Sequence, residues 1–266
     1  MTVPPVPPRY TRRSTPALDR LRRIARQLGA LCERVVFIGG AVAPLLQSDD
    51  VIPRVRPTND VDAVIATSSY AELGPLRDAL RARGFSEAAV PPEHGATTHM
   101  HRWIAPDGGG PFDLVPVGEH PGGTGAVADA YAVESAVRID LRQKDGDAPC
   151  IVRHASPVAF LMLKWAAFSD RGRESPFDSH DLEDIIGVMA SRPTIVTEGR
   201  AAPLAVRRFL AEQCRALLAD ADMADELMAA HLPAGTVIAV RESVRQRLQS
   251  LCAIDQDSYY AARLPS

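Results

Sequence analysis

Residues 35–65, VVFIGGAVAPLLQSDDVIPRVRPTNDVDAVI, constrain the fold more than any other part of the chain. Val35 to Ile38 has the β-branched and aromatic content of a buried strand, and Gly39-Gly40 permits a tight turn with outward N–H groups. An apolar segment of helical length follows, so the chain is expected to enter a helix directly after the glycines, where free N–H groups suit a phosphate. A second apolar run then carries Asp60 and Asp62. Residues two apart on a strand share a face, which sets both carboxylates together while Val61, Ala63 and Ile65 point away. Their Cα atoms should lie roughly 7 Å apart. Carboxylates that close can share a pair of divalent ions, which sit about 3.5 to 4 Å from each other in two-metal sites.

The D-x-D pair means little without this setting. The chain has four: Asp60/Asp62, Asp145/Asp147, Asp220/Asp222 and Asp255/Asp257. The last three lie in turn-like or C-terminal helical contexts. The first follows Gly-Gly inside an apolar strand pattern, and that context is the signal.

With 266 residues, 46% of them hydrophobic, the chain has the material for a sizeable core in one large or two modest domains. No apolar run approaches the roughly 18 residues that span a bilayer, and the proline-rich N-terminus lacks the apolar centre of a secretion signal. A cytoplasmic protein without membrane contact is expected. Cys32, Cys150, Cys214 and Cys252 are widely separated and form no C-x-x-C pair, so reduced structural thiols are the default. The first 26 residues carry seven arginines against one acid, Asp19. Such a basic end suits nucleic acid, although terminal basic faces are commonly just solvated. Lysine is confined to Lys144 and Lys164, so arginine richness here reflects a compositional bias and is no argument for RNA binding.

Along the chain, residues 1–15 read as a flexible or extended arm because of Pro4, Pro5, Pro7 and Pro8. A helix over 17–28 places Leu21, Ile24 and Leu28 on one stripe and ends at Gly29. Ser68 or Ser69 can cap a further helix over 71–83 that stops at Gly84. A hairpin follows, His99 to Ile104 and Phe112 to Val117 around Pro-Asp-Gly-Gly-Gly, with Asp113 on its second strand. Residues 118–125 read as a glycine-rich loop, and Ala136 to Leu141 and Cys150 to His154 as strands. His94, His99 and His101 lie in a polar hairpin without a nearby acid and are read as incidental. Ser156-Pro157 opens a helix in which Lys164 stands within AFLMLKWAAF, where a lysine needs a partner, a function or a route to the surface. Asp181 and Asp184, three apart, share a face of the next helix. Amphipathic stretches around 205–219, 223–231 and 238–251 continue the helical pattern.

These residues carry a family resemblance. Gly-Gly after a strand, R-x-T-x-D-x-D about sixteen residues later (Arg56, Thr58, Asp60, Asp62) and the strand residue Asp113 resemble the polymerase-β-type nucleotidyltransferase superfamily. Within it the pattern is most similar to the AbiEii toxin-like group, because Ser156, Pro157, Leu161, Lys164 and Ala167, then Arg171, then Asp181 and Asp184 follow that group's second block. The resemblance covers about residues 33–190. Two positions depart from it: Ala41 replaces a common phosphate-binding serine, and His180 replaces a lysine or arginine.

The resemblance implies an α/β fold, a nucleotidyltransferase-like mixed twisted sheet flanked by helices, with a helical C-terminal region. The expected organisation is an arm over 1–15, the α/β core over 16–155 and helices over 156–266. It implies a metal-dependent enzyme that moves a nucleotidyl group from an NTP to a hydroxyl on RNA, such as tRNA, or on protein, in the manner of a toxin with an antitoxin protein as partner. Asp60, Asp62 and Asp113 would hold Mg²⁺, with Mn²⁺ as a substitute. Gly39, Gly40, Thr58, Lys164, Asp181 and Asp184 would serve the nucleotide, Lys164 through the triphosphate or pyrophosphate and the acid pair by orienting Lys164 or Arg171. A small-molecule acceptor such as an aminoglycoside and a catalytically silent nucleotide-binding protein are the alternatives.

Overall fold

Val35, Val36 and Phe37 are fully excluded from solvent, so strand β1 (Val35–Ile38) is covered on both faces, as its unbroken apolar run anticipates. The computed structural model describes residues 6–48, 58–66, 72–88, 101–117 and 123–256. These fall into two compact units, one within residues 1–45 and 57–156, the other within 46–56 and 157–266.

The first unit is built on a mixed seven-stranded sheet. Its strands are β1, β2 (Val61–Ile65), β3 (Ser86–Glu87), β4 (Arg102–Ala105), β5 (Gly110–Pro116), β6 (Val137–Asp140) and β7 (Ile151–His154), in the order β3-β4-β5-β2-β1-β7-β6. Strand β2 runs antiparallel to β1, with Ile38 opposite Asp62, and parallel to β5, with Asp62 beside Asp113. Strands β4 and β5 form the expected hairpin, in a register that faces Arg102 with Asp113. The chain is therefore α/β, and the strand bearing the D-x-D pair lies inside the sheet.

Helix α1 (Pro16–Leu28) buries Leu18, Leu21, Ile24 and Leu28. Thr15 caps its start, accepting a hydrogen bond from the Leu18 N–H at 3.3 Å. Gly29, at φ 53°, ends it in the left-handed region that glycine tolerates. The segment after Gly39-Gly40 differs from expectation: a 3₁₀ turn over Gly40–Val42 leads into α2 (Ala43–Leu46), a single turn of helix. Pro44 fits the opening of that turn, and so short a helix has little dipole to offer an anion. Helix α3 (Leu73–Arg81) precedes the left-handed Gly84, while the caps sought at Ser68 and Ser69 lie outside the described residues, as do His94 and His99. Helix α4 (Gly123–Glu134) begins inside the stretch expected to be loop and occupies sequence assigned to no element. Its composition, rich in alanine and valine after Gly-Gly-Thr-Gly, offers neither a capping signal nor a clear polar face.

The N-terminal arm, where described, is docked. The Tyr10 N–H donates to the Asp140 carbonyl and the Asp140 N–H donates to the Pro8 carbonyl, both at 2.9 Å, so residues 8–10 lie along β6. Arg9 pairs with Asp145 and donates to the Gln143 carbonyl at 2.8 Å. Buried Arg22 donates to the Leu141 carbonyl at 2.6 Å, and Arg23 to that of Gly108 at 3.2 Å. Much of the basic N-terminal charge is thus spent on backbone carbonyls of this unit.

The second unit is helical: α5 (Pro157–Ala167), α6 (His180–Ser191), α7 (Ile195–Arg200), α8 (Leu204–Leu217), α9 (Ala221–His231) and α10 (Ile238–Leu251). The last three coincide with the amphipathic stretches read from the sequence. Val206, Leu210, Ala211 and Cys214 of α8 and Val244, Leu248 and Leu251 of α10 form buried stripes at helical spacing. Cys32, Cys150, Cys214 and Cys252 are free thiols, the first three buried. Burial pushes the Cys32 thiol up to about 12. No helix among the described residues is long and apolar enough to cross a membrane.

Candidate metal centre

The alternation of β2 and its parallel pairing with β5 gather Asp60, Asp62 and Asp113. Each offers a carboxylate oxygen, and these oxygens all lie within 4.8 Å of one another, half-buried. Among the described residues no other histidine, cysteine, aspartate or glutamate joins such a group. Oxygens around an octahedral Mg²⁺ are about 3 to 4 Å apart, from metal–oxygen distances near 2.1 Å. A small inward movement would therefore bring one oxygen from each carboxylate to that spacing. An all-carboxylate donor set also suits a hard cation and disfavours a thiolate- or imidazole-seeking one. The residues fit Mg²⁺ or Mn²⁺.

The surroundings hold the acids in place. The Thr58 hydroxyl donates to Asp60 Oδ1 at 2.7 Å and is itself buried. Arg20, reaching from α1, donates to the Thr58 carbonyl and fixes the residue that orients Asp60. Thr58, expected to serve the nucleotide, spends its hydroxyl on the carboxylate. Gly39 contributes through what it lacks: it sits at φ 69°, and a Cβ there would fall 1.9 Å from Asp62 Oδ2. Gly39 makes room for Asp62, a role more direct than the approach to phosphate expected of Gly39 and Gly40.

Arg102 is the residue that sequence reasoning missed. Its Nε donates to Asp113 Oδ1 at 2.8 Å and its Nη2 to Oδ2 at 2.6 Å, while Nη2 also lies 3.6 Å from Asp60 Oδ2. The hydrogen bonds to Asp113 are the largest influence on the guanidinium and raise its pKa above that of an ordinary arginine, with the charges of Asp60 and Asp62 adding to the effect. The signal was present in the sequence. Counting back from Ala105 opposite Gly110 brings Arg102 to Asp113, but only once the hairpin register is known.

The remaining expected residues assemble within the helical unit. Lys164 is buried, with its ammonium 3.0 Å from Asp181 Oδ1 and 2.6 Å from Asp184 Oδ2, the latter an ion contact without an aligned hydrogen bond. Burial alone would lower its pKa, but Asp184 and Asp181 outweigh that and hold it above the ordinary lysine value. Arg171 donates to Asp181 Oδ2 at 3.0 Å. Asp181 therefore holds both Lys164 and Arg171, and Asp184 holds Lys164. Lys164 is neutralised where it stands and presents no free ammonium.

No family model matches the chain, and no curated protein does. Among solved structures it is similar to JHP933 from Helicobacter pylori, at 13% identity over 94% of this chain and 97% of that one, with a TM-score of 0.42. A likeness this loose says nothing about function.

Proposed function

We propose that the protein is a Mg²⁺-dependent nucleotidyltransferase that joins the α-phosphate of an NTP to a hydroxyl acceptor on RNA or protein. The observation that carries this reading is the meeting of Asp60, Asp62 and Asp113 from two neighbouring parallel strands, with their oxygens within 4.8 Å. Asp60 and Asp62, kept in place by Thr58 and by the space at Gly39, would hold the cation, and Asp113 would complete its coordination. Bound there, a divalent cation would supply positive charge to the triphosphate and to the leaving pyrophosphate. The acceptor oxygen bonds to the α-phosphorus, the bond to the bridging oxygen breaks, and pyrophosphate departs with that electron pair. In this reading Asp113, once released by Arg102, takes the hydroxyl proton. Lys164 is given no step, because its charge is already shared between Asp181 and Asp184.

The setting in this reading is the cytoplasm, with an antitoxin protein as partner. The acceptor is left between RNA and protein, since Arg9, Arg20, Arg22 and Arg23 of the basic N-terminal stretch are occupied by carbonyls. The test is transfer of label from each of the four NTPs, labelled at the α-phosphorus, with Mg²⁺, total cellular RNA and cell protein, for the natural chain and Asp60→Ala. Label in a macromolecule with the natural chain only supports the reading and identifies the acceptor. Label found only in small molecules moves the same chemistry to an acceptor such as an aminoglycoside. No transfer from any NTP, with nucleotide binding retained, leaves a silent nucleotide-binding protein and sinks the enzyme.

A further inference from the structure

Three carboxylates held this close repel one another, and Arg102 sets a positive charge against two of them. Arg102 and Asp113 stand directly opposite on antiparallel strands, so the pairing is fixed by register. The guanidinium uses two donors to occupy both oxygens of Asp113 and leans 3.6 Å from Asp60. A bidentate fork of this kind is the strongest form of the arginine–carboxylate contact. Any cation that takes an oxygen of Asp113 meets the guanidinium on the same carboxylate and feels its repulsion. The Arg102 side chain is about one-third exposed, at 36%, so part of it already faces solvent.

Resting on the metal-dependent reading of this site, we propose that Arg102 is a displaceable internal counter-ion which competes with the divalent cation for Asp113. A first ion is held through Asp60 and Asp62. Asp113 joins only when Arg102 releases it, and the released guanidinium is then free to meet the negative charge of the incoming triphosphate. Arg102 is thus a positioning residue that couples cation binding to nucleotide binding.

The test is Mn²⁺ titration of the full chain, read by the loss of the free-ion paramagnetic resonance signal, for the natural protein, Arg102→Ala, Arg102→Lys, Asp113→Asn and the double variant Arg102→Ala/Asp113→Asn. Circular dichroism confirms that each is folded. Arg102→Ala should bind Mn²⁺ about tenfold more tightly, the size expected from removing one partly exposed bidentate competitor. Arg102→Lys, which keeps the charge and loses the fork, should fall between. In the Asp113→Asn background the gain should shrink to about twofold or less, because the competition runs through that carboxylate. With a non-hydrolysable NTP analogue present, Arg102→Ala should lose affinity for the nucleotide. Unchanged or weaker Mn²⁺ binding in Arg102→Ala overturns the inference and leaves the metal site standing, as does a gain of equal size without Asp113. Absence of Mn²⁺ binding in all five proteins removes the metal site and this inference with it.

Discussion

Replacing Gly39 by alanine isolates the claim that Gly39 makes room for Asp62. Two penalties apply, and they can be separated. The first is conformational, since Gly39 lies at φ 69° and ψ −167°, a region that is essentially glycine's alone and in which a Cβ costs about 1–3 kcal/mol. Gly108 also lies at φ 69° but has nothing within 4 Å of its notional Cβ, so Gly108→Ala carries a positive-φ penalty without a steric one. The second penalty is steric: the new methyl would stand 1.9 Å from Asp62 Oδ2, whereas ordinary contact begins at 3.4 Å. Methyl and carboxylate have to separate by 1.5 Å, the difference between those two distances. Overpacking of this kind typically costs about 1–3 kcal/mol. Gly39→Ala should therefore melt several degrees below Gly108→Ala, at about 2–4 °C per kcal/mol for a chain of this order. Even if Asp62 swings aside and relieves the overlap, a displacement beyond about 1 Å disrupts a site that depends on geometry. Thermal melting followed by Mn²⁺ titration checks both parts. If Gly39→Ala melts together with Gly108→Ala and binds Mn²⁺ as the natural protein does, the argument from close approach is wrong.

Two further outcomes follow from the helical unit. Lys164→Met should destabilise it by about 3–5 kcal/mol, because Asp181 and Asp184 lose their shared buried cation. Arg171→Ala should cost far less, as the Arg171 side chain is 70% exposed. Urea denaturation of the two variants should separate them widely, and equal losses would contradict the assigned roles. Glu198, by contrast, tests pH dependence. Its burial raises the pKa, but the fork from Arg192 and the Thr194 hydroxyl outweigh this and hold it below the ordinary glutamate value. A depressed carboxylate adds stability above the unfolded-state pKa, and that stability is lost as pH falls through the folded one. The denaturation midpoints of natural protein and Glu198→Gln should thus differ at neutral pH and converge below pH 4.5, the unperturbed value. A gap that persists in acid would refute the linkage.

The parts of the fold legible in the sequence are those set by local chemistry. The apolar run of β1, the alternation around Asp60 and Asp62, the glycine-rich turn between β4 and β5, and the Gly29 end of α1 all lie within a few residues of their causes. Asp113 was readable for the same reason, as a polar residue on a hairpin strand. What escaped depends on partners distant in sequence. Nothing near Arg102 states that it faces Asp113, and nothing near Thr58 states that Arg20 will hold its carbonyl. Helix α4 escaped for a local reason, because its alanine-rich stretch has neither cap nor polar stripe. The brevity of α2 was also partly local, since Pro44 sits where only the start of a helix accepts it.

The arm that reads as flexible or extended proline-rich sequence has a protective use. Strand β6 ends the sheet, and an end strand exposes a row of unpaired amides and carbonyls on which another chain can add. Pro8 and Tyr10 take up the N–H and carbonyl of Asp140, while Arg9 fastens the segment beyond the strand. An expression fragment trimmed to begin at the first helix would keep every acidic residue of the site and still tend to self-associate, because the cut removes the cover from a sticky margin.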